Sequence, residues 1–176
     1  MRMSFTVLGA ILCAVLFGCK SGASSAALPP VIGFDAEKYM GQWYEIARLP
    51  HSFERGLYNV TAFYSLEKDG TIRVENRGYI PKGTLKTIYG VAFQPEPGIG
   101  LLRVSFFRPF YGDYKIIFLE KDYSAAIVTS STKDYLWILC RTPELPKKKM
   151  QEYLDFIKKC GFPTDKLEIL KWQRKL

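Results

Sequence analysis

The 176-residue sequence has one histidine, His51, and four cysteines. Any Ser-His or Cys-His catalytic pair would have to use that single imidazole. No Gly-x-Ser-x-Gly, P-loop or dinucleotide-binding glycine pattern occurs. No Cys-x-x-Cys or Cys/His spacing suits zinc. No apolar run reaches the ~20 residues that a membrane-spanning helix takes. Basic tracts are also scarce for a chain of formal charge +8. Lys147 to Lys149 and the C-terminal "KWQRKL" are the clusters, and scattered cations of this kind fit solvated faces better than a nucleic-acid site. These absences argue against an enzyme, a metal or cofactor protein, and a nucleic-acid partner.

What is present begins with a leader. Arg2 is the only charge in residues 1–18, and Phe5 to Gly18 is mostly apolar. A basic start and a short apolar run describe a secretory signal peptide, with an uncleaved anchor as the alternative. "LFGC" (Leu16 to Cys19) resembles the bacterial lipobox, which implies that Cys19 becomes the acylated first residue of the mature chain. Several acyl chains make a stable membrane anchor. Residues 19–33 have no core-forming pattern and read as a tether. Lys20 is not the aspartate that retains such lipoproteins in the inner membrane, so the implied address is the outer membrane, facing the periplasm. Cys13 leaves with the leader. Cys140 and Cys160 remain, an even number in an oxidising compartment.

From residue 34 onward the chain reads as one all-β domain. Strand signals run over Gly41–Leu49, Tyr58–Glu67, Ile72–Ile80, Leu85–Gln94, Leu101–Phe107, Tyr114–Glu120, Ala125–Ser130 and Tyr135–Thr142, with short connections. "KDGT" between the second and third is a hairpin cue. Eight such strands predict an up-and-down antiparallel barrel or a sandwich. After Pro146 the period changes. Met150, Leu154, Ile157 and Cys160 fall on one helical face, with Tyr153 beside them. Gly161 and Pro163 end that helix, and Leu167 to Trp172 suits a short ninth strand.

Four stretches in order carry a resemblance: "GQWYEIARLPHSFERGL", "ENRGYIP", "VSFFRPFYGDY" and "DYLWILCRTP". Behind a lipobox, they resemble the bacterial outer-membrane lipocalins, relatives of apolipoprotein D, over about Tyr39 to Trp172. The resemblance implies an eight-stranded barrel with the helix packed outside. Gly41 and Trp43 would close one end, with Arg141 across the indole face. Alternation along the strand puts Trp43, Glu45 and Ala47 on one face. Glu45 would then point inward near the closed end, paired with Arg141 or Tyr135, or else hydrated at the rim. Tyr135, Trp137, Leu139 and Arg141 would face in, and Leu136, Ile138 and Cys140 out. By the same resemblance the cavity is lined by Ala62, Tyr64, Val74, Asn76, Ile88, Gly90, Val104, Phe106, Tyr114, Ile116 and Phe118. Small residues at Ala47, Ala62 and Gly90 argue for open space, against a barrel filled by its own side chains. Cys140 and Cys160 could meet as a disulfide between barrel and helix, or remain free thiols.

Two functions follow as expectations. One is a membrane-anchored binder of a fatty acid or lysophospholipid, its head group met at the open mouth by Arg48, Arg55 or Arg108. The other is an envelope interaction or dimerisation module, docking through "FFRPFYG" as a homodimer or with a protein partner.

Overall fold

The computed structural model describes residues 28–172. The expected leader, the expected acylation site Cys19 and most of the expected tether lie outside the described residues.

A short β1 (Ile32–Phe34) and α1 (Ala36–Tyr39) precede the barrel. Eight strands then form it: β2 (Gly41–Arg48), β3 (Tyr58–Leu66), β4 (Ile72–Tyr79), β5 (Leu85–Phe93), β7 (Leu101–Phe107), β8 (Phe110–Leu119), β9 (Ala125–Thr129) and β10 (Leu136–Cys140). The two-residue β6 (Gly98–Ile99) pairs with β1 instead. Each barrel strand is antiparallel to its neighbour, and β10 returns to β2 and closes the sheet. The helix α2 (Lys147–Lys159) and a short β11 (Glu168–Ile169) follow. β11 adds to β2 opposite Arg48 and Ala47. The expected barrel, outer helix and ninth strand are all present.

Contacts start earlier than the expected domain boundary at residue 34. Leu28 packs on the outer cluster, and Val31 exchanges backbone hydrogen bonds with Gly100 and Ile116. Strand β8 also starts four residues before the expected Tyr114, because Phe107 and Phe110 pair directly in a tight hairpin.

Two cores result. The inner one joins Phe34, Tyr39, Trp43, Tyr64, Leu102, Ile116 and Val128 at the closed end. The outer one packs Tyr153 and Ile157 of α2 on Ile46, Ala47, Ile127, Leu136 and Ile138. Outward Leu136, Ile138 and Cys140 belong to this outer layer, as alternation along β10 requires. Cys140 and Cys160 both border it, yet both are free thiols, and Cys140 Sγ lies 3.5 Å from Thr142 Oγ1. The structure therefore does not contain the expected disulfide.

The closed end is held by one strand start. Gly41 has φ +90°, which a residue with a Cβ adopts only with strain. Two residues on, Trp43 is fully buried and donates its indole N–H to Tyr39 O at 2.9 Å. Arg141 stacks on that indole at 3.9 Å. Its guanidinium donates to Gln42 O (2.8 Å), Lys38 O (2.9 Å) and Tyr123 O (3.3 Å). It thus ties α1, β2 and the β8–β9 turn together.

Cation–π contact and hydrogen bonds from a charged group each contribute on the order of 1 kcal/mol when partly exposed. Arg141→Ala should lower stability in urea unfolding by about 2 kcal/mol, and Arg141→Lys, which keeps the charge without the fork, by about 1 kcal/mol. Unchanged midpoints in both variants would show that the plug holds without the arginine.

Candidate functional site

Inside the barrel is a cavity of about 780 Å³, open at the end away from Trp43. Its wall contains Ala62, Tyr64, Val74, Asn76, Ile88, Val104, Phe106, Tyr114, Tyr135, Trp137 and Leu139, all anticipated from the sequence. The strand alternation brings them together, since each inward residue faces another across the ladder: Ala62 opposite Asn76, Val74 opposite Gly90, Asn76 opposite Ile88.

Four expected lining residues are elsewhere. Ala47 is fully buried in the outer core. Across the β2–β10 seam Glu45 opposes Leu139 and Ala47 opposes Ile138, leaving Ile46 as an extra residue. This bulge reverses the alternation after Glu45, so Ala47 turns out to the helix and Arg48 turns in. A second bulge in β8 sets Ile116 opposite Val128 but Phe118 opposite Ile127. Phe118 therefore faces outward and packs on Tyr153 and Phe156. Ile116 does face inward but lies in the packed core at the closed end. Gly90 adds no free space: a Cβ there would come within 2.9 Å of the Phe106 ring, so the glycine makes room for that side chain.

The cavity floor is a chain of phenols. The Tyr39 and Tyr114 hydroxyls are 2.7 Å apart, and Tyr64 donates to Tyr114 at 3.0 Å. Burial holds all three well above the usual tyrosine range, so they stay neutral donors.

One wall carries a buried ionic cluster. Arg48, 2% exposed, donates from Nη1 to Glu45 Oε1 (3.0 Å), from Nε to Glu168 Oε2 (3.0 Å) and from Nη2 to Leu57 O (3.2 Å). Glu54 Oε2 is 3.9 Å from Nη1 and accepts from Trp137 Nε1 at 3.2 Å. His51 Nε2 is 2.9 Å from the same oxygen, but misaligned for a hydrogen bond. The partner of Glu45 is therefore Arg48, not Arg141 or Tyr135, and Glu45 belongs to the mouth-side wall and not to the plug. Nor is Arg48 an open head-group contact. Of the other two cations considered, Arg55 lines the cavity, while Arg108 sits exposed on the β7–β8 hairpin outside the wall.

Several wall residues were not foreseen, among them Phe53, Glu54 and Leu57 of the loop after β2, and Ile80, Lys86 and Phe110 near the mouth. Carrying the alternation back from Tyr114 to Gly112 and Phe110 would have found the last. Asn76 Oδ1 faces this space buried and without a protein partner among the described residues.

Fold and site together define a small-molecule-binding β-barrel: closed at one pole by a tryptophan plug, open at the other, apolar within. The lipocalin-like domain profile matches residues 34–172, and the chain belongs to the lipocalin family. It is 43% identical to the outer membrane lipoprotein Blc of Escherichia coli (strain K12) over 94% of this chain and 95% of that one. It is 37% identical to apolipoprotein D of Mus musculus over 79% and 78%. Insecticyanin from the tobacco hornworm Manduca sexta shares the fold, with TM-score 0.67 and 18% identity over 83% and 85% of the chains.

Burial and the neighbouring Glu54 raise Glu45 well above the usual carboxylate range, outweighing an Arg48 that is shared with other carboxylates. The folded state then keeps a proton that the unfolded chain releases above its ordinary value of 4.5. Stability from this group is present below that pH and falls as pH rises toward the folded pKa. Glu45→Gln should therefore match the parent below pH 4.5 in urea unfolding and be at least as stable at pH 7.5. A variant destabilised only at neutral pH would show Glu45 to be ionised against Arg48.

Proposed function

We propose that this lipocalin carries a single-chain lipid, a fatty acid or lysophospholipid, in its barrel, and that acylated Cys19 anchors it to the outer membrane facing the periplasm. The observation that carries the reading is the open, largely apolar cavity of about 780 Å³. That size falls in the range of sites that enclose a small organic ligand, and it speaks against a barrel filled by its own side chains. An acyl tail would lie along Val74, Ile88, Val104 and Leu139. A phosphate or carboxylate head would sit at the mouth beside Arg55 and Lys86, which both border the opening. The printed name of the Escherichia coli relative, an outer membrane lipoprotein, supports the anchor and the address. The lipobox resemblance at Leu16 to Cys19 supports them independently. The apolar wall and the neutral phenol floor favour binding over catalysis.

The test is titration of the chain from Lys20 onward with a fluorescent fatty acid and a fluorescent lysophospholipid, following quenching of Trp137 in the cavity wall. All described core contacts lie within residues 28–172, so this chain retains the folded domain. Saturable binding should weaken at least about tenfold in Ala62→Trp, where the indole takes up cavity volume. A folded, delipidated sample that binds neither probe would refute the reading.

A further inference from the structure

The open end bears a feature that ligand enclosure does not require. Four connections surround the mouth. Three of them, the loop 49–57, the β4–β5 hairpin 80–84 and the β7–β8 hairpin, carry or adjoin apolar side chains that face solvent, while the fourth, 130–135, carries Lys133 and Asp134. Phe53 is 61% exposed, Phe107 72% and Phe110 77%, and Leu85 flanks the second hairpin at 44%. The same segments, with the start of β5, carry Arg55, Lys82, Lys86 and Arg108, all exposed. Ion pairs among the described residues use other groups. The acids nearby do little to offset these cations. Glu54 is buried, Asp113 is paired with Arg103, and Asp134 lies beside Lys133; Asp69 feels the charge of Arg108, but it is fully exposed and forms no ion pair with it.

We infer that this rim is a docking surface for an anionic lipid bilayer, which it meets mouth-first. Aromatic side chains among lysines and arginines are the composition that settles at a bilayer interface, rings in the headgroup region and cations against anionic lipid. A second copy of the chain fits less well, because mouth-to-mouth contact would bring two sets of unpaired cations together. The chain enters at the other pole, where Val31 bonds to Gly100 and Ile116, so among the described residues nothing covers the rim. Docked in this way, the cavity opens directly onto the lipid phase, and a lipid would pass between bilayer and barrel with little exposure of its tail to water. The inference goes beyond the lipid-carrier reading, and docking can be measured apart from uptake.

The experiment is flotation of the unlipidated chain from Lys20 onward with vesicles of phosphatidylcholine alone and of phosphatidylcholine with phosphatidylglycerol. Anionic vesicles should float the protein and neutral ones far less, with the difference shrinking as salt is raised. Lys82→Glu with Arg108→Glu should lower partition at least about tenfold, given the attraction of each cation near an anionic surface. Neither residue lines the cavity, so fatty-acid binding by that variant should stay at the parent level. Phe107→Ser with Phe110→Ser should also release the protein, its fold checked by urea midpoint. Ala62→Trp, which obstructs the cavity, should still float, and this separates failure of docking from failure of uptake. Three results would overturn the inference: equal flotation on neutral and anionic vesicles, flotation indifferent to the charge variant, or a dimer in sedimentation equilibrium that the charge variant dissolves.

Discussion

Closure of the sheet between β2 and β10 is the constraint on which the other features depend. An eight-stranded sheet left open would expose two edges and lose its interior. Here the seam is made by a strand with a different task at each step. Gly41 turns the chain across the closed pole, and Trp43 fills it. Glu45 enters the wall opposite Leu139. The extra residue Ile46 then rotates the strand, so that Ala47 meets the helix and Arg48 faces back in. Without that bulge, the alternation would point Arg48 into the apolar outer core and Ala47 into the cavity. One inserted residue therefore lets a single strand serve both cores and the ionic cluster.

That cluster is costly in isolation, since a buried charge loses its hydration. Its arrangement indicates what offsets the cost. Arg48 is reached by Glu168 from β11, by Glu45 from its own strand and by the Leu57 carbonyl from the mouth loop. Glu54 of that loop also accepts from Trp137. The pairings fasten the loop after β2, which has little apolar burial of its own beyond Leu49, to the rigid seam. A cavity removes packing from the middle of a domain, so its rim has to be shaped by directional bonds rather than by a filled core. β11 is only two residues long, but it delivers the carboxylate that completes Arg48.

Much of this was legible in the sequence because period-two alternation is a local property. The strand order and the two faces of β10 follow from it, while the closed barrel, the Trp43–Arg141 stack and most of the wall are legible through the family resemblance that the Gly-x-Trp and later stretches carry. Two of the misses share one cause. Ala47 and Phe118 each lie just past a bulge, and a bulge is decided by strand pairing, which the sequence of one strand does not reveal. Gly90 looked like vacancy because its partner, Phe106, is remote in sequence. Glu45 is legible as a buried acid but its partner is not, since simple alternation turns Arg48 away from it and Arg48 reads instead as a head-group contact at the mouth. The loop residues Phe53 and Glu54 have no periodicity to read at all.

The two poles of the barrel are chemically opposite, and this gives the molecule a direction. At the closed pole each polar group has a partner: the guanidinium has three carbonyls, the indole one, and the phenols one another. Water gains little by entering there, and a ligand has no path through. At the open pole large rings and unpaired cations face outward, an arrangement that costs free energy in water alone. Between the poles the wall is largely apolar, with Asn76 Oδ1 a buried acceptor that has no protein partner among the described residues. A lipid of the proposed class would therefore enter tail-first, its apolar part toward the neutral phenols and its charge toward Arg55 and Lys86. The reverse orientation would set an ionised head group against tyrosines that burial keeps protonated, where the neighbouring Arg141 is already held by the Trp43 ring and three carbonyls.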